Sequence, residues 1–132
     1  MQTGATTAHS TRGTIASLVR PATTVSREAT VLDVAQAMVR HGVDAVLMIG
    51  PNGPDRLVTQ QDVVALLAAG CDPGSTPVPQ VTDRLVVPVT AAIDAVAALM
   101  LDTGRSHLLV RDVDRRIRGI VSLRDVAAAF LR

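Results

Sequence analysis

Two aspartates follow a hydroxyl side chain at the same spacing, in Thr59-Gln60-Gln61-Asp62 and in Ser122-Leu123-Arg124-Asp125. An ionised carboxylate accepts charge-assisted hydrogen bonds from the donors of a bound molecule. If each segment opens a helix, its free backbone N–H groups and the helix dipole also favour a phosphate nearby. The same spacing equally describes an ordinary helix start, with the hydroxyl as cap and the acid in the first turn, and both readings stay open. Arg105 and His107, two residues apart at the head of an apolar run, would share one face of a strand and offer cationic donors. Their counterparts in the first half are Val43 and Ala45. Solvated strand-end side chains are the competing reading, and Arg124 is either a phosphate contact or a helix-start arginine in water. No Ser, His and Asp set stands in a nucleophile context, no glycine-rich phosphate loop precedes a helix, and no metal-ligand spacing occurs.

The elements that must position these residues repeat within the chain. Val31, Val34, Ala35, Met38 and Val39 recur at helical spacing, with Thr30 as the expected N-cap and Gly42 as the expected stop. Ile93, Val96, Ala97, Met100 and Leu101 take the matching positions in the second half, closed by Gly104. Each helix precedes a short aliphatic run, Ala45–Ile49 and His107–Val110, that suits a buried strand. Turn signals follow at Gly50–Asp55 and Asp112–Arg116, then Leu57-Val58-Thr59 and Ile120-Val121-Ser122. The register between the copies slips by one residue in this hairpin, where repeats tolerate length change. Second helices are expected from Asp62 to Ala69 and from Asp125 to Leu131. Opening strands are expected at Thr24-Val25 and Val86-Val87. A repeat of about 55 residues cannot bury a sheet alone, so two copies packing face to face are expected.

Composition narrows the function classes. With one aromatic residue, Phe130, and a formal net charge of +1, the chain lacks stacking platforms and a strong drive toward phosphate backbones, so nucleic acid is a poor partner. The alternating Arg and Asp of residues 111–118 read as a solvated hairpin tip. A single cysteine, Cys71, forms no internal disulfide and points to a reducing cytoplasm. The first residues, MQTGATTAHSTR, show neither a basic start nor an apolar run, and no segment approaches the roughly 18 apolar residues of a membrane span. A soluble chain with a frayed N-terminus, no membrane contact and no metal is expected.

The order strand, helix, strand, strand, helix, carried twice and closed by Gly119-Ile-Val-Ser122-Leu-Arg-Asp125, resembles a tandem pair of CBS (cystathionine beta-synthase) domains, a Bateman module. The resemblance covers residues 15–132, and the first copy departs from it at Arg56, where the family usually carries glycine. It implies an α/β (α+β) fold of two βαββα repeats packed pseudo-symmetrically into one module. The boundaries would be a disordered tail at 1–13, repeat 1 at 14–70, a linker at 71–80 and repeat 2 at 81–132. It further implies that adenosine-containing ligands bind in two clefts between the repeats. Asp125 and Asp62 would hold the ribose hydroxyls, Ser122 and Thr59 would face the phosphate or sugar, and Thr24, Val25, Val86 and Val87 would border the adenine. A ribose presents two adjacent hydroxyls, and one carboxylate can accept from both.

The expected function is a stand-alone, non-catalytic regulatory module. It requires no cofactor, binds AMP, ADP, ATP or S-adenosylmethionine, assembles as a homodimer through its closing helices, and signals occupancy to a protein partner. A scaffold that has kept the fold and lost the ligand is the alternative. Incubation of the purified protein with ATP and a divalent cation is expected to release no phosphate or pyrophosphate. Release that disappears in Asp125→Ala would instead establish a hydrolase.

Overall fold

The computed structural model describes residues 12–51, 53–79 and 85–131. Within them lie six strands and four α-helices, in the repeated order expected. The first copy consists of β1 (Thr24–Ser26), α1 (Val31–His41), β2 (Ala45–Gly50), β3 (Gly53–Thr59) and α2 (Gln60–Ala68). The second consists of β4 (Val86–Pro88), α3 (Ile93–Thr103), β5 (His107–Arg111), β6 (Ile117–Ser122) and α4 (Leu123–Ala129).

Local chemistry explains the helix ends. Thr30 Oγ1 accepts from the Asp33 amide at 3.1 Å while the Thr30 amide donates to Asp33 Oδ2 at 3.0 Å, closing a capping box at the start of α1. α3 starts at Ala92 without a side-chain cap. Both long helices stop at a glycine in the left-handed region, Gly42 with φ 63° and Gly104 with φ 68°, a conformation that side chains with a Cβ resist. The closing helices start two residues earlier than expected, at Gln60 and Leu123, which makes Thr59 and Ser122 the N-caps and places Asp62 and Asp125 at the third helical position.

Each sheet has its middle strand paired parallel to the opening strand and antiparallel to the closing one, in the orders β1-β2-β3 and β4-β5-β6. The hairpin register breaks at matching places, between Met48 and Ile49 and between Val110 and Arg111. Strand alternation sends Val46, Met48 and Val58 into one core with Val31, Val34 and Met38 of α1. Leu108, Val110 and Val121 enter the other with Ile93, Val96 and Met100 of α3. Met38 and Met100 thus fill core positions, as their place in the apolar stripe predicts.

The two compact units do not follow chain order. Residues 12–21 pack with 85–131, and residues 71–79 pack with 22–70. Each unit therefore takes in a lead segment from beyond its own βαββα run. In the unit containing the second copy, a 3-10 turn at Ile15–Leu18 buries Ile15 completely, and the Ile15 amide donates to the Ala91 carbonyl at 2.9 Å. In the other unit, Val78 is buried and its amide donates to the Ala29 carbonyl at 3.1 Å. The expected linker is thus core material at Val78, and most of the expected tail lies outside the described residues.

Arg20 and Ile120 exchange two backbone hydrogen bonds, each of 2.9 Å, at the free edge of β6. Gly119 permits this approach, because a Cβ there would run into the Arg20 carbonyl group. The obstacle is backbone and cannot rotate away, so Gly119→Ala is expected to lower stability by about 1–3 kcal/mol in urea unfolding. It should also make the chain easier to cleave between residues 12 and 20. Unchanged stability and unchanged proteolysis would show that the lead segment is not held by this pairing.

Candidate functional site

Register decides which of the expected site residues share a surface. Val86 pairs with Leu109, and His107 pairs with Ser122. Paired residues and residues two apart lie on the same face of a sheet, so Val86, His107 and Ser122 stand together on the face opposite the core. Val87 lies on the other face, inside the core. The first copy repeats the arrangement. Thr24 pairs with Leu47 and Ala45 with Thr59, while Val25 faces the core. The two-residue stretches expected to border an adenine are therefore split by the pleat, with Thr24 and Val86 available on the outer face.

His107 is 8% exposed, with Nδ1 at 2.8 Å from the Ser106 hydroxyl, so it is not a solvated strand-end side chain. Arg105 lies before β5 rather than on it, and its amide donates to the Met100 carbonyl at 3.1 Å as part of the end of α3. The expectation that Arg105 and His107 share a strand face does not apply, because strand alternation begins only at His107. Arg124 is exposed in the first turn of α4.

The two motif aspartates have different partners. Asp62 closes a capping box: its Oδ2 accepts from the Thr59 amide at 2.9 Å and from the Thr59 hydroxyl at 3.2 Å, while the Thr59 hydroxyl accepts from the Asp62 amide at 3.3 Å. Arg56 approaches the same oxygen at 3.3 Å through Nη2 and donates from Nη1 to the Pro79 carbonyl at 2.7 Å. The Arg56 side chain is only 12% exposed. The arginine that stands where the second copy has Gly119 is thus built into its unit, and Asp62 does the work of an ordinary helix start.

Asp125 keeps half of that arrangement. Its amide donates to the Ser122 hydroxyl at 3.1 Å, but its carboxylate turns to Arg20, with Nε to Oδ2 at 2.7 Å and Nη2 to Oδ1 at 3.2 Å. The pair is bidentate, the strong geometry for guanidinium and carboxylate. The Arg20–Ile120 pairing places the Arg20 side chain on the face of β6 that also carries Ser122. Arg20 is a component of this candidate site that sequence reasoning missed. It stands 105 positions from Asp125, and no spacing or motif connects the two. The hydrogen bond from Arg20 holds the Asp125 carboxyl below the usual carboxylate range; partial burial opposes this, and the Arg20 charge, Ser122 and Arg124 add to it.

A groove of about 480 Å³ runs along β1 and α1 and includes Thr24 and Val25 with Glu28, Asp33 and Arg40. It does not include Thr59 or Asp62, so the expected residues of the first copy are not gathered around one concavity there. Among the described residues no group of His, Cys, Asp and Glu is placed to hold a metal ion, and no helix is long and apolar enough to cross a membrane.

A family model for the CBS domain matches residues 15–69 and 76–132. CBSX2 of Arabidopsis thaliana, solved in complex with AMP, shares 24% identity at a TM-score of 0.73, covering 90% of this chain and 96% of that one. The CBS domain pair of protein MJ0100, in complex with 5′-methylthioadenosine and S-adenosyl-L-methionine, shares 19% identity at a TM-score of 0.76, over 89% and 94% of the two chains. An uncharacterized conserved protein from Pyrococcus horikoshii reaches a TM-score of 0.80 at 18% identity, over 93% and 96%. At these identities the likeness establishes the fold. A search of curated proteins finds no match.

The lowered Asp125 pKa ties this contact to pH. A carboxyl whose folded value lies below its unfolded value, about 3.9, contributes stability that is present above that value and is lost as pH falls through the folded one. Asp125→Asn is therefore expected to melt below the wild type at pH 6–7, with the gap closing towards pH 2. A gap that stays constant across this range in thermal melts would show that the ion pair does not contribute.

Proposed function

This chain belongs to the CBS domain family, and from that premise we propose that it is a regulatory module whose second copy binds an adenosine-containing ligand and passes its occupancy to a protein partner. The observation that carries this reading is the Asp125 carboxylate, which pairs with Arg20 instead of closing a capping box, next to a sheet face that presents Ser122, His107 and Val86. A carboxylate offers about four acceptor sites. Arg20 takes one on each oxygen, which leaves one on each for the adjacent hydroxyls of a ribose. His107 offers an imidazole on this face, and Arg124, in the first turn of α4, offers a guanidinium that a phosphate or a sulfonium compound's carboxylate would meet. The AMP carried by CBSX2 and the adenosyl compounds carried by the MJ0100 pair make this ligand class the first to test.

The reading is one of binding without turnover: the set contains acceptors and donors and no arranged nucleophile and base. For the first copy a ligand-free structural role is the better reading, because Asp62 is engaged by its own cap and by the enclosed Arg56.

Homodimerisation belongs to the same proposal. Val64 and Leu67 of the closing helix α2 are 63% and 45% exposed, and Val39 and Leu101, at matching positions on α1 and α3, are 84% and 76% exposed. Apolar side chains left in water on helices of both copies favour a self-complementary contact between two chains.

A thermal-shift panel of AMP, ADP, ATP and S-adenosylmethionine is expected to identify a stabilising ligand, since saturation at about 100 times Kd adds about 2.7 kcal/mol to the native state. In calorimetry, Asp125→Ala is expected to weaken that ligand by about tenfold or more, the loss of one charged hydrogen bond or better, and Asp62→Ala to leave it nearly unchanged. Equal losses would place the ligand elsewhere. No stabilisation by any of the four would favour a scaffold that has lost the ligand.

A further inference from the structure

The two copies carry the same hydroxyl-x-x-Asp sequence at the same helix start, yet only one carboxylate caps its helix. Asp62 accepts from the Thr59 amide and completes the box. Asp125 makes no matching bond to the Ser122 amide, although Ser122 accepts from the Asp125 amide just as Thr59 does from Asp62. Arg56 meets Asp62 at one oxygen and leaves the box intact, whereas Arg20 grips both Asp125 oxygens.

We propose that Arg20 is a positioning residue of the binding site, holding the Asp125 carboxylate out of its helix cap and directed at the ligand's hydroxyls. This rests on the nucleotide-binding reading above. Three features of Arg20 support it. Its backbone is fixed by two hydrogen bonds to Ile120, so the guanidinium is delivered from a paired strand edge rather than from a free chain. It meets the carboxylate through Nε and Nη2, a two-point grip that sets orientation as well as distance. Its side chain is 72% exposed, so it is not required for core packing, in contrast to Arg56. The charged groups acting on Asp125 are Arg20 and Arg124. Arg124 is a neighbour on the same helix and makes no such grip. Removing Arg20 would free Asp125 to rotate back into the box that Asp62 forms, spending its acceptor sites on its own backbone.

The test uses the full chain with Arg20→Gln and Arg20→Lys, and AMP and S-adenosylmethionine as probes. Calorimetry gives affinity, and the Asp125 carboxyl-carbon shift followed against pH gives the state of the carboxylate. Arg20→Gln is expected to weaken the bound probe about tenfold, the low end of what losing a ligand-orienting partner does, and to raise the Asp125 midpoint towards the ordinary carboxylate range. Arg20→Lys keeps the charge without the two-point grip and is expected to recover part of both. A raised midpoint with unchanged or tighter binding in Arg20→Gln would overturn the proposal, because Arg20 would then merely compete with the ligand. Binding of neither probe by the wild type would overturn the nucleotide reading, and this proposal with it.

Discussion

The backbone pairing of Arg20 with Ile120 is the contact on which the second copy's candidate site depends. It requires a residue without a side chain at position 119, because the Arg20 carbonyl group occupies the space where a Cβ would stand. Once the pairing forms, pleat geometry determines which way Arg20 points, and that direction is the face carrying Ser122. The guanidinium then finds Asp125 at 2.7 Å. Gly119, the first residue of the closing motif, is therefore also the seat of a lead segment, and the same backbone contact delivers a charged partner to Asp125.

The two copies show how one inherited pattern takes on separate work. In the first, arginine stands where the second has Gly119, and its enclosed side chain bridges Asp62 and the Pro79 carbonyl. The lead segment of that unit is held partly by side-chain chemistry, and the motif acid is absorbed into the helix cap. In the second, the lead segment is held by backbone chemistry, and the acid is drawn outward. Repetition of a motif accordingly supports common architecture, while the partners of each aspartate decide its use.

The proposed ligand would be coupled to the chain through Arg20. The residue that grips Asp125 belongs to a segment whose Ile15 is fully buried and whose Arg12 lies 4.1 Å over the Phe130 ring while pairing with Asp94 at 3.3 Å. A ligand that draws on the Asp125 carboxylate acts on this segment too, and its differential affinity for the docked and undocked arrangements bounds how far it can shift them.

The sequence by itself determined the elements and their repetition. Thr30 and Gly42 mark the ends of α1, the stripes through Met38 and Met100 mark the core, and the aliphatic runs mark β2 and β5, because capping, periodicity and burial are written in neighbouring residues. It also singled out Asp125 and Ser122, although it could not tell cap from contact. The tertiary structure showed that Ser122 caps α4 while the Asp125 carboxylate pairs with Arg20, and it decided the burial of His107, the separation of Val86 from Val87 across the sheet, and the placing of Arg105 before the strand. Each depends on strand register or on partners far apart in the chain, and the Arg20–Asp125 contact spans 105 positions. Local pattern carries no information about such partners; they exist only once the backbone has paired.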